Sequence, residues 1–141
     1  MDLLRNIKVP AELEHLHSLI GAIGDCAKKQ GLSDKRINEI KIAAEEALVN
    51  IFNYAYEEKV GDVEVACKTG QGGTFVIEIS DEGRPFDPLS LAEPDTTLDI
   101  DDRQIGGVGV LLMRKLTDEL RYRREGNKNV LELVVDLTQQ R

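Results

Sequence analysis

Two residues four positions apart, Glu46 and Asn50, are the first in this sequence whose types and spacing could do chemistry. In an α-helix this spacing places both side chains on one side, one turn apart. A carboxylate can take a proton from an attacking hydroxyl, and an amide oxygen can bind a hard cation such as Mg²⁺. Asn53 lies close to the same line. A solvated helix edge or a hydrogen bond in the core would use the same residue types, and this short pattern alone leaves both open.

A second polar segment, residues 81–87, begins with Asp81 at the predicted end of a strand. An ionised carboxylate only accepts hydrogen bonds, so Asp81 could accept the exocyclic amino proton of adenine. Gly83 would let the backbone approach the base closely. Asp and Gly are also common turn residues, so an ordinary polar turn is the alternative.

Glycines dominate a third segment, which opens a predicted helix and consists of Gly106, Gly107, Val108 and Gly109. Backbone N–H groups at a helix start, freed by glycine from steric cover, can surround phosphate oxygens. The segment is not a P-loop, because it lacks Gly-Lys-Ser/Thr and no strand immediately precedes it. A flexible hinge that caps the helix would explain the glycines equally well.

Hydrophobic periodicity predicts the elements that must position these segments. Helices are expected over residues 11–30, 34–56 and 106–116. Strands are expected over 3–9, 63–68, 74–80, 120–125 and 129–137. This order predicts an α+β fold, a two-layer sandwich in which a mixed, mostly antiparallel sheet is covered by helices on one face. Residues 81–105 have no clear period, and a loop of that length is usually functional or mobile.

Composition bounds the class of protein. The 141 residues are 41% hydrophobic and 31% charged, which fits one globular domain. No apolar run approaches the ~20 residues of a membrane helix, and the first residues do not resemble a signal peptide, so we expect a cytoplasmic protein without a membrane partner. A net charge of -8 would repel a phosphate backbone, which argues against nucleic acid. Cys26 and Cys67 lack metal or redox spacing and are predicted to be free thiols.

In this order the three segments resemble the asparagine box and the two glycine boxes of the gyrase/chaperone/histidine-kinase/MutL ATPase superfamily. The matching stretches are residues 45–56, 81–87 and 103–113. Within that superfamily the sequence resembles the RsbW/SpoIIAB type of anti-sigma-factor serine kinase, over nearly the whole chain. The resemblance implies the histidine kinase-like (Bergerat) ATPase fold, a single ATP-binding domain over residues 1–141, and ATP and Mg²⁺ as cofactors.

The resemblance also implies a role for each matching residue. Asn50 would hold the Mg ion, and Glu46 would act as general base. Asp81 would bind adenine, and residues 89–105 would form a mobile ATP lid. The other implied cofactor-binding residues are Asn53, Gly83, Phe86, Arg103, Gly106, Gly107, Val108, Gly109 and Val110.

Three positions carry open alternatives. Arg103, at the end of the lid, could offset charge on the terminal phosphate or form a surface ion pair with a neighbouring aspartate. Tyr54 stands where many relatives have histidine. Glu132 stands in the last strand, where relatives often have a threonine that supports the adenine-binding aspartate. Because a carboxylate there would repel Asp81, either Glu132 faces solvent or the base is held differently.

The resemblance implies a partner-switching serine/threonine kinase that phosphorylates an anti-sigma-factor antagonist. The alternative is a non-catalytic, ATP-dependent anti-sigma factor or regulator-binding module. A sigma factor is a second expected partner. A homodimer is also expected, because an exposed edge strand such as residues 3–9 can pair with another copy.

Overall fold

A computed structural model describes residues 2–57, 60–90 and 107–138 of the chain. Within these described residues, five strands form one sheet, and three α-helices pack on it. The elements in chain order are β1 (Asp2–Pro10), α1 (Leu16–Lys29), α2 (Asp34–Tyr54), β2 (Asp62–Gly70), β3 (Thr74–Asp81), α3 (Gly107–Leu116), β4 (Glu119–Glu125) and β5 (Lys128–Asp136).

The sheet has the strand order β1-β2-β3-β5-β4. The predicted α+β class is confirmed, but every described strand pair is antiparallel, where the prediction allowed a mixed sheet. The short turns of the β2–β3 and β4–β5 hairpins enforce this direction. Because β3 and β5 also pair, the end of β3 lies beside the start of β5, with Asp81 opposite Asn129.

The core lies between the sheet and the helices. One set of alternating residues on each inner strand faces the helices, because successive side chains in a strand point to opposite faces. This set comprises Val63, Val65 and Cys67 on β2, Phe75, Ile77 and Ile79 on β3, and Leu131, Leu133 and Val135 on β5. The helices contribute mainly small and branched residues, which include Leu19, Ile23 and Ala27 of α1 and Ile40, Ala44, Ala47 and Leu48 of α2.

Helix α2 is the central helix, and both of its ends are fixed by specific contacts. Its N-terminus is capped by Ser33, whose hydroxyl accepts a hydrogen bond from the Arg36 N–H at 3.2 Å. The Arg36 side chain is buried and donates to the Leu116 carbonyl at 2.6 Å, which joins α2 to the end of α3. At the other end, the Arg84 N–H donates to the Ala55 carbonyl at 3.1 Å.

Helix α1 begins later than predicted. A 3-10 turn over Leu13–His15 precedes it, and Glu12 makes no side-chain cap hydrogen bond that would start the helix at the predicted position. Both cysteines are free, as predicted, and both are buried in the core. Burial raises the pKa of the Cys67 thiol to about 12. In the described part of the chain, no helix combines the length and apolar character that crossing a membrane requires.

Candidate functional site

A pocket lies between the C-terminal half of α2 and the paired ends of β3 and β5. It contains about 460 Å³ of empty space, including the part that is open to solvent. Its wall is mainly apolar and aromatic, as in most small-ligand sites. The lining residues are Ala47, Asn50, Ile51, Tyr54, Ala55, Ile79, Asp81, Phe86, Pro88, Met113, Tyr122, Asn129 and Leu131.

Asp81 is the buried carboxylate of this pocket. Its side chain is 6% exposed, and its Oδ1 accepts hydrogen bonds from the Gly83 N–H at 2.8 Å and from Asn129 Nδ2 at 3.0 Å. Among the residues that the structure describes, no hydrogen bond is made to Oδ2. Burial raises the pKa of Asp81, whereas the bonds from Asn129 and Gly83 and the charge of Arg124 lower it in part. One carboxylate oxygen is therefore held in place, and the other can accept a hydrogen bond from a ligand.

Asn129 is the residue that anchors Asp81, and it uses all four of its hydrogen-bonding positions. Its Nδ2 donates to Asp81 Oδ1 and, at 2.7 Å, to the Arg84 carbonyl. Its Oδ1 accepts from the Tyr122 hydroxyl at 2.6 Å and from the Phe86 N–H at 3.2 Å. Asn129 therefore ties β3, β4 and the loop after β3 to a single amide group.

The loop after β3 is held closely against the end of α2. The Arg84 Nε donates to the Tyr54 carbonyl at 3.0 Å, and Arg124 donates to the Gly83 carbonyl at 2.9 Å. A Cβ atom at Gly83 would clash with the backbone carbonyl of Ala55, so only glycine fits this approach. The backbone that flanks Asp81 is therefore fixed by side chains from several elements.

Glu46 and Asn50 both lie on α2, where Asn50 lines this pocket and Glu46 is close to the start of α3. A Cβ atom built on Gly109 would be 2.7 Å from Glu46 Oε2, so the Glu46 carboxylate lies directly against the first turn of α3. Asn50 lines the pocket, and its Nδ2 atom is buried without a hydrogen-bond partner in the described structure. An unanchored amide is free to turn its oxygen towards a cation, so this donor set fits a Mg²⁺ ion bound together with nucleotide phosphates.

The structure brings most of the predicted site residues together. Asp81, Phe86 and Asn50 line the pocket, Gly83 bonds to Asp81, and Gly109 contacts Glu46. Gly107 and Val108 begin α3. Tyr54, which stands where the resemblance predicts a histidine in many relatives, forms part of the pocket wall.

Of the predicted cofactor-binding residues that the structure describes, several are not part of the pocket lining, namely Asn53, Gly83, Gly107, Val108, Gly109 and Val110. Asn53 is exposed on α2, one helical position from Tyr54. Val110 is 4% exposed and belongs to the hydrophobic core. Their contact with a cofactor stays a prediction. Arg103, Gly106 and residues 91–105 of the predicted lid lie outside the described residues.

The question about Glu132 is answered by the strand register. Leu131 and Leu133 face the core, so Glu132 faces the opposite side of the sheet, where it pairs with Arg123 at 2.8 Å. It does not approach Asp81. The residue that does support Asp81 is Asn129, which sequence reasoning missed. The only signal for it was the pairing of the start of β5 with the end of β3.

Comparison with known proteins identifies the family to which this chain belongs. The family model of the histidine kinase-like ATPase domain matches residues 9–135. The serine-protein kinase RsbW of Bacillus subtilis (strain 168) is 31% identical over 131 residues, which cover 88% of this chain and 80% of that protein. The serine-protein kinase RsbW of Bacillus licheniformis is 30% identical over the same shares of the two chains.

Solved structures share the fold at low sequence identity. The RsbU and RsbW domains of a Mycobacterium tuberculosis protein match with a TM-score of 0.67 at 16% identity, over 96% of this chain and 32% of that longer one. A blue-light activated histidine kinase of Erythrobacter litoralis matches with a TM-score of 0.60 at 18% identity, over 94% of this chain and 43% of that one. The family model and the two RsbW relatives place the chain in the histidine kinase-like ATPase family, among its RsbW-type members.

Proposed function

We propose that this chain is a Mg-ATP-dependent protein serine/threonine kinase of the partner-switching type, which phosphorylates a hydroxyl group on an anti-sigma-factor antagonist. The observation that carries the proposal is the position of Glu46. Its carboxylate lies one helical turn from Asn50 and directly against Gly109 at the start of α3. The Asp81 pocket, which suits a base, opens beside the same helix.

In the proposed reaction, the acceptor hydroxyl oxygen attacks the terminal phosphorus of ATP. The bond from that phosphorus to the bridging oxygen breaks, ADP leaves, and the phosphoryl group is carried by the acceptor protein. Glu46 takes the hydroxyl proton, because a carboxylate within reach of the nucleophile can act as general base. Asp81 accepts a hydrogen bond from the adenine amino group, and the N–H groups at the start of α3 bind phosphate oxygens.

Asn50 would hold the Mg²⁺ ion, which when bound neutralises phosphate charge. The buried, unpartnered Nδ2 of Asn50 supports this role, since a structural amide in the core would have both of its polar atoms paired. Positioning and charge neutralisation supply most of the catalysis in phosphoryl transfer.

A phosphoryl-transfer assay with radiolabelled ATP and the cognate antagonist tests the role of Glu46. Glu46→Gln keeps the shape of the side chain but cannot accept the proton, so we expect transfer to fall by roughly 10²- to 10⁴-fold while ATP affinity stays within about twofold. Equal transfer by the variant and the wild type would reject Glu46 as the base.

Glu45→Gln is the matched control. Glu45 is the adjacent residue on α2 and is exposed, so the same change of charge occurs away from Gly109. We expect its transfer rate to match that of the wild type. ATP binding without transfer to any antagonist, by the wild type itself, would favour the alternative of a non-catalytic, ATP-dependent anti-sigma factor.

The remaining parts of the proposal follow from family membership. We propose one ATP-binding domain over residues 1–141, a lid over about 89–105 that includes Arg103, a sigma factor as second partner, self-association as a homodimer, and a cytoplasmic location. Contacts of the lid's described end support its position, since Arg114 of α3 donates to the Leu89 carbonyl at 3.2 Å. Binding of ATP with and without Mg²⁺, measured by calorimetry, tests the site as a whole.

A further inference from the structure

We propose that Asn129, together with Tyr122, determines base specificity by fixing Asp81 so that one carboxylate oxygen is presented to the amino group of the base. This inference rests on the proposed ATP site. Asn129 contacts Asp81 directly, and Tyr122 contacts Asn129. Both therefore act as positioning residues.

The chemistry of the neighbouring groups fixes the orientation of the Asn129 amide. The two groups that face Nδ2 are the Asp81 carboxylate and the Arg84 carbonyl, and both only accept hydrogen bonds. The Phe86 N–H faces Oδ1 and only donates. A flipped amide would place acceptor against acceptor and donor against donor, so Asn129 has one stable orientation.

Tyr122 completes this arrangement. Because the Asn129 Oδ1 atom is an acceptor, the Tyr122 hydroxyl must donate to it across the 2.6 Å contact. The tyrosine thus restrains the amide from β4, while its ring forms part of the pocket wall. A proton relay is not involved, because the amide hydrogens stay on Nδ2.

This arrangement restricts what Asp81 can offer to a ligand. Its Oδ1 already accepts two hydrogen bonds, from Asn129 and Gly83, so a base that enters the pocket meets the other oxygen. A carboxylate accepts and does not donate, so this oxygen recognises a base that carries an amino hydrogen. In an apolar pocket, a carboxyl group without those two donors would take up a proton more readily and could also donate, which would weaken the discrimination.

The site should therefore reject an analogue that lacks the amino group, as sites with committed polar groups generally do. Purine riboside triphosphate is the suitable probe, because it is ATP without the 6-amino group. The ratio of its dissociation constant to that of ATP measures the contact between Asp81 and the amino group, and it cancels effects that a variant has on both nucleotides equally.

Calorimetry with the full chain and Mg²⁺ tests the inference. For Asn129→Leu we expect the affinity ratio to shrink by about 10-fold, because a hydrogen bond to a charged group is lost. For Tyr122→Phe, which keeps the ring and removes only the hydroxyl, we expect a reduction of about threefold. Affinity for inorganic tripolyphosphate should be unchanged in both, because the proposed phosphate-binding groups at the start of α3 do not include Asn129 or Tyr122.

Controls separate positioning from a general loss of structure. Asn129→Ser, which keeps one donor, is the variant to use if Asn129→Leu folds poorly. Its affinity ratio should lie between those of Asn129→Leu and the wild type. Asn38→Leu makes the same change at an exposed position of α2 and should leave the ratio unaltered. A folded Asn129→Leu protein that loses affinity for both nucleotides equally, or a Tyr122→Phe protein with an unchanged ratio, overturns the inference.

The outcome also distinguishes this inference from the function on which it rests. A wild-type protein that binds no ATP overturns both. A wild-type protein that binds ATP and transfers phosphate, while the ratio stays constant across the variants, overturns only the role given to Asn129 and Tyr122.

Discussion

The pocket has two sides that are built in different ways. The side that we propose binds the base, called the base side, consists of Asp81, Asn129, Tyr122 and the loop 83–86, and its polar groups are joined by hydrogen bonds from four elements. The side that we propose binds the phosphates and Mg²⁺, called the phosphate side, consists of Glu46, Asn50 and the start of α3. There the Asn50 Nδ2 atom is buried without a partner within the described structure, and the Glu46 carboxylate only lies against Gly109.

The difference indicates which half of the site exists before a ligand arrives. A buried polar group without a partner costs stability, so evolution keeps one mainly where a ligand or an ion will satisfy it. The base side is complete in the folded protein, which limits the entropy lost when the base binds. On the phosphate side, the described residues include the unpartnered Nδ2 of Asn50, and bound phosphates and Mg²⁺ would satisfy groups of this kind.

The largest expected effect compares Asn129, which is buried, with Asn50, which is partly exposed but has a buried Nδ2 atom. Asn129→Ala should lower the free energy of unfolding of the nucleotide-free protein by about 3 kcal/mol, because it leaves several buried groups without partners. Asn50→Ala should lower it by less than about 1 kcal/mol, because the amide nitrogen that it removes has no partner to lose. Urea unfolding measures both values. Equal losses of stability would show that the two sides do not differ in this way.

Asp81→Asn tests the base side through binding. The new amide nitrogen would face the amino group of adenine with a second donor, so ATP affinity should fall by about 100-fold. Stability should respond in the opposite direction. Burial raises the pKa of Asp81 above its ordinary value of 3.8, so the folded protein holds the proton more tightly than the unfolded chain does, and the ionised group costs stability at pH 7.

The sign of that pH dependence can be measured. As the pH rises from below 3.8 through the raised pKa of the folded state, the wild type should lose stability relative to Asp81→Asn, and the difference should then stay constant. Asp62→Asn, at an exposed position, makes the same change outside the Asp81 pocket and should leave ATP affinity unchanged. A variant that is less stable than the wild type at pH 7 would mean that the hydrogen bonds from Asn129 and Gly83 outweigh the cost of burial.

The same contrast explains what could be predicted from the sequence. Periodicity is local, so the helices and strands were predicted close to their observed bounds except at the start of α1, and Glu46 and Asn50 could be placed on one helix. Asn129 could not be found in this way, because its role depends on the register that pairs it with Asp81 across β3 and β5. The same lack of register information left the direction of Glu132 open. Long-range pairing has no local signature in a single sequence.

The sheet direction and the start of α1 were also set by non-local or competing effects. The prediction allowed a mixed sheet because a strand order cannot be read from alternation alone. The first helix was predicted to begin at residue 11, because the apolar periodicity already runs through the 3-10 turn. The α-helix itself begins only after that turn, at Leu16. Element type is therefore easier to predict than an element boundary.

The smallest expected effect concerns the contact between α3 and Glu46. In Gly109→Ala the new methyl group would meet the Glu46 carboxylate, which is the far end of a flexible side chain and can move aside. The helix itself should gain up to about 1 kcal/mol of stability, because alanine is the better helix former. A displaced base lowers the rate, so we expect phosphoryl transfer to fall about 10-fold more than ATP affinity does.

Gly21→Ala is the matched substitution, since Gly21 lies within α1 and a methyl group there has no atom within 4 Å. It should raise stability by a similar ~0.5–1 kcal/mol and leave transfer unchanged. The two variants thus share the helix-forming gain and differ in the one contact with Glu46. If transfer were unchanged in both, the position of the Glu46 carboxylate against α3 would have no bearing on the reaction, and the phosphate side would not be organised around that contact.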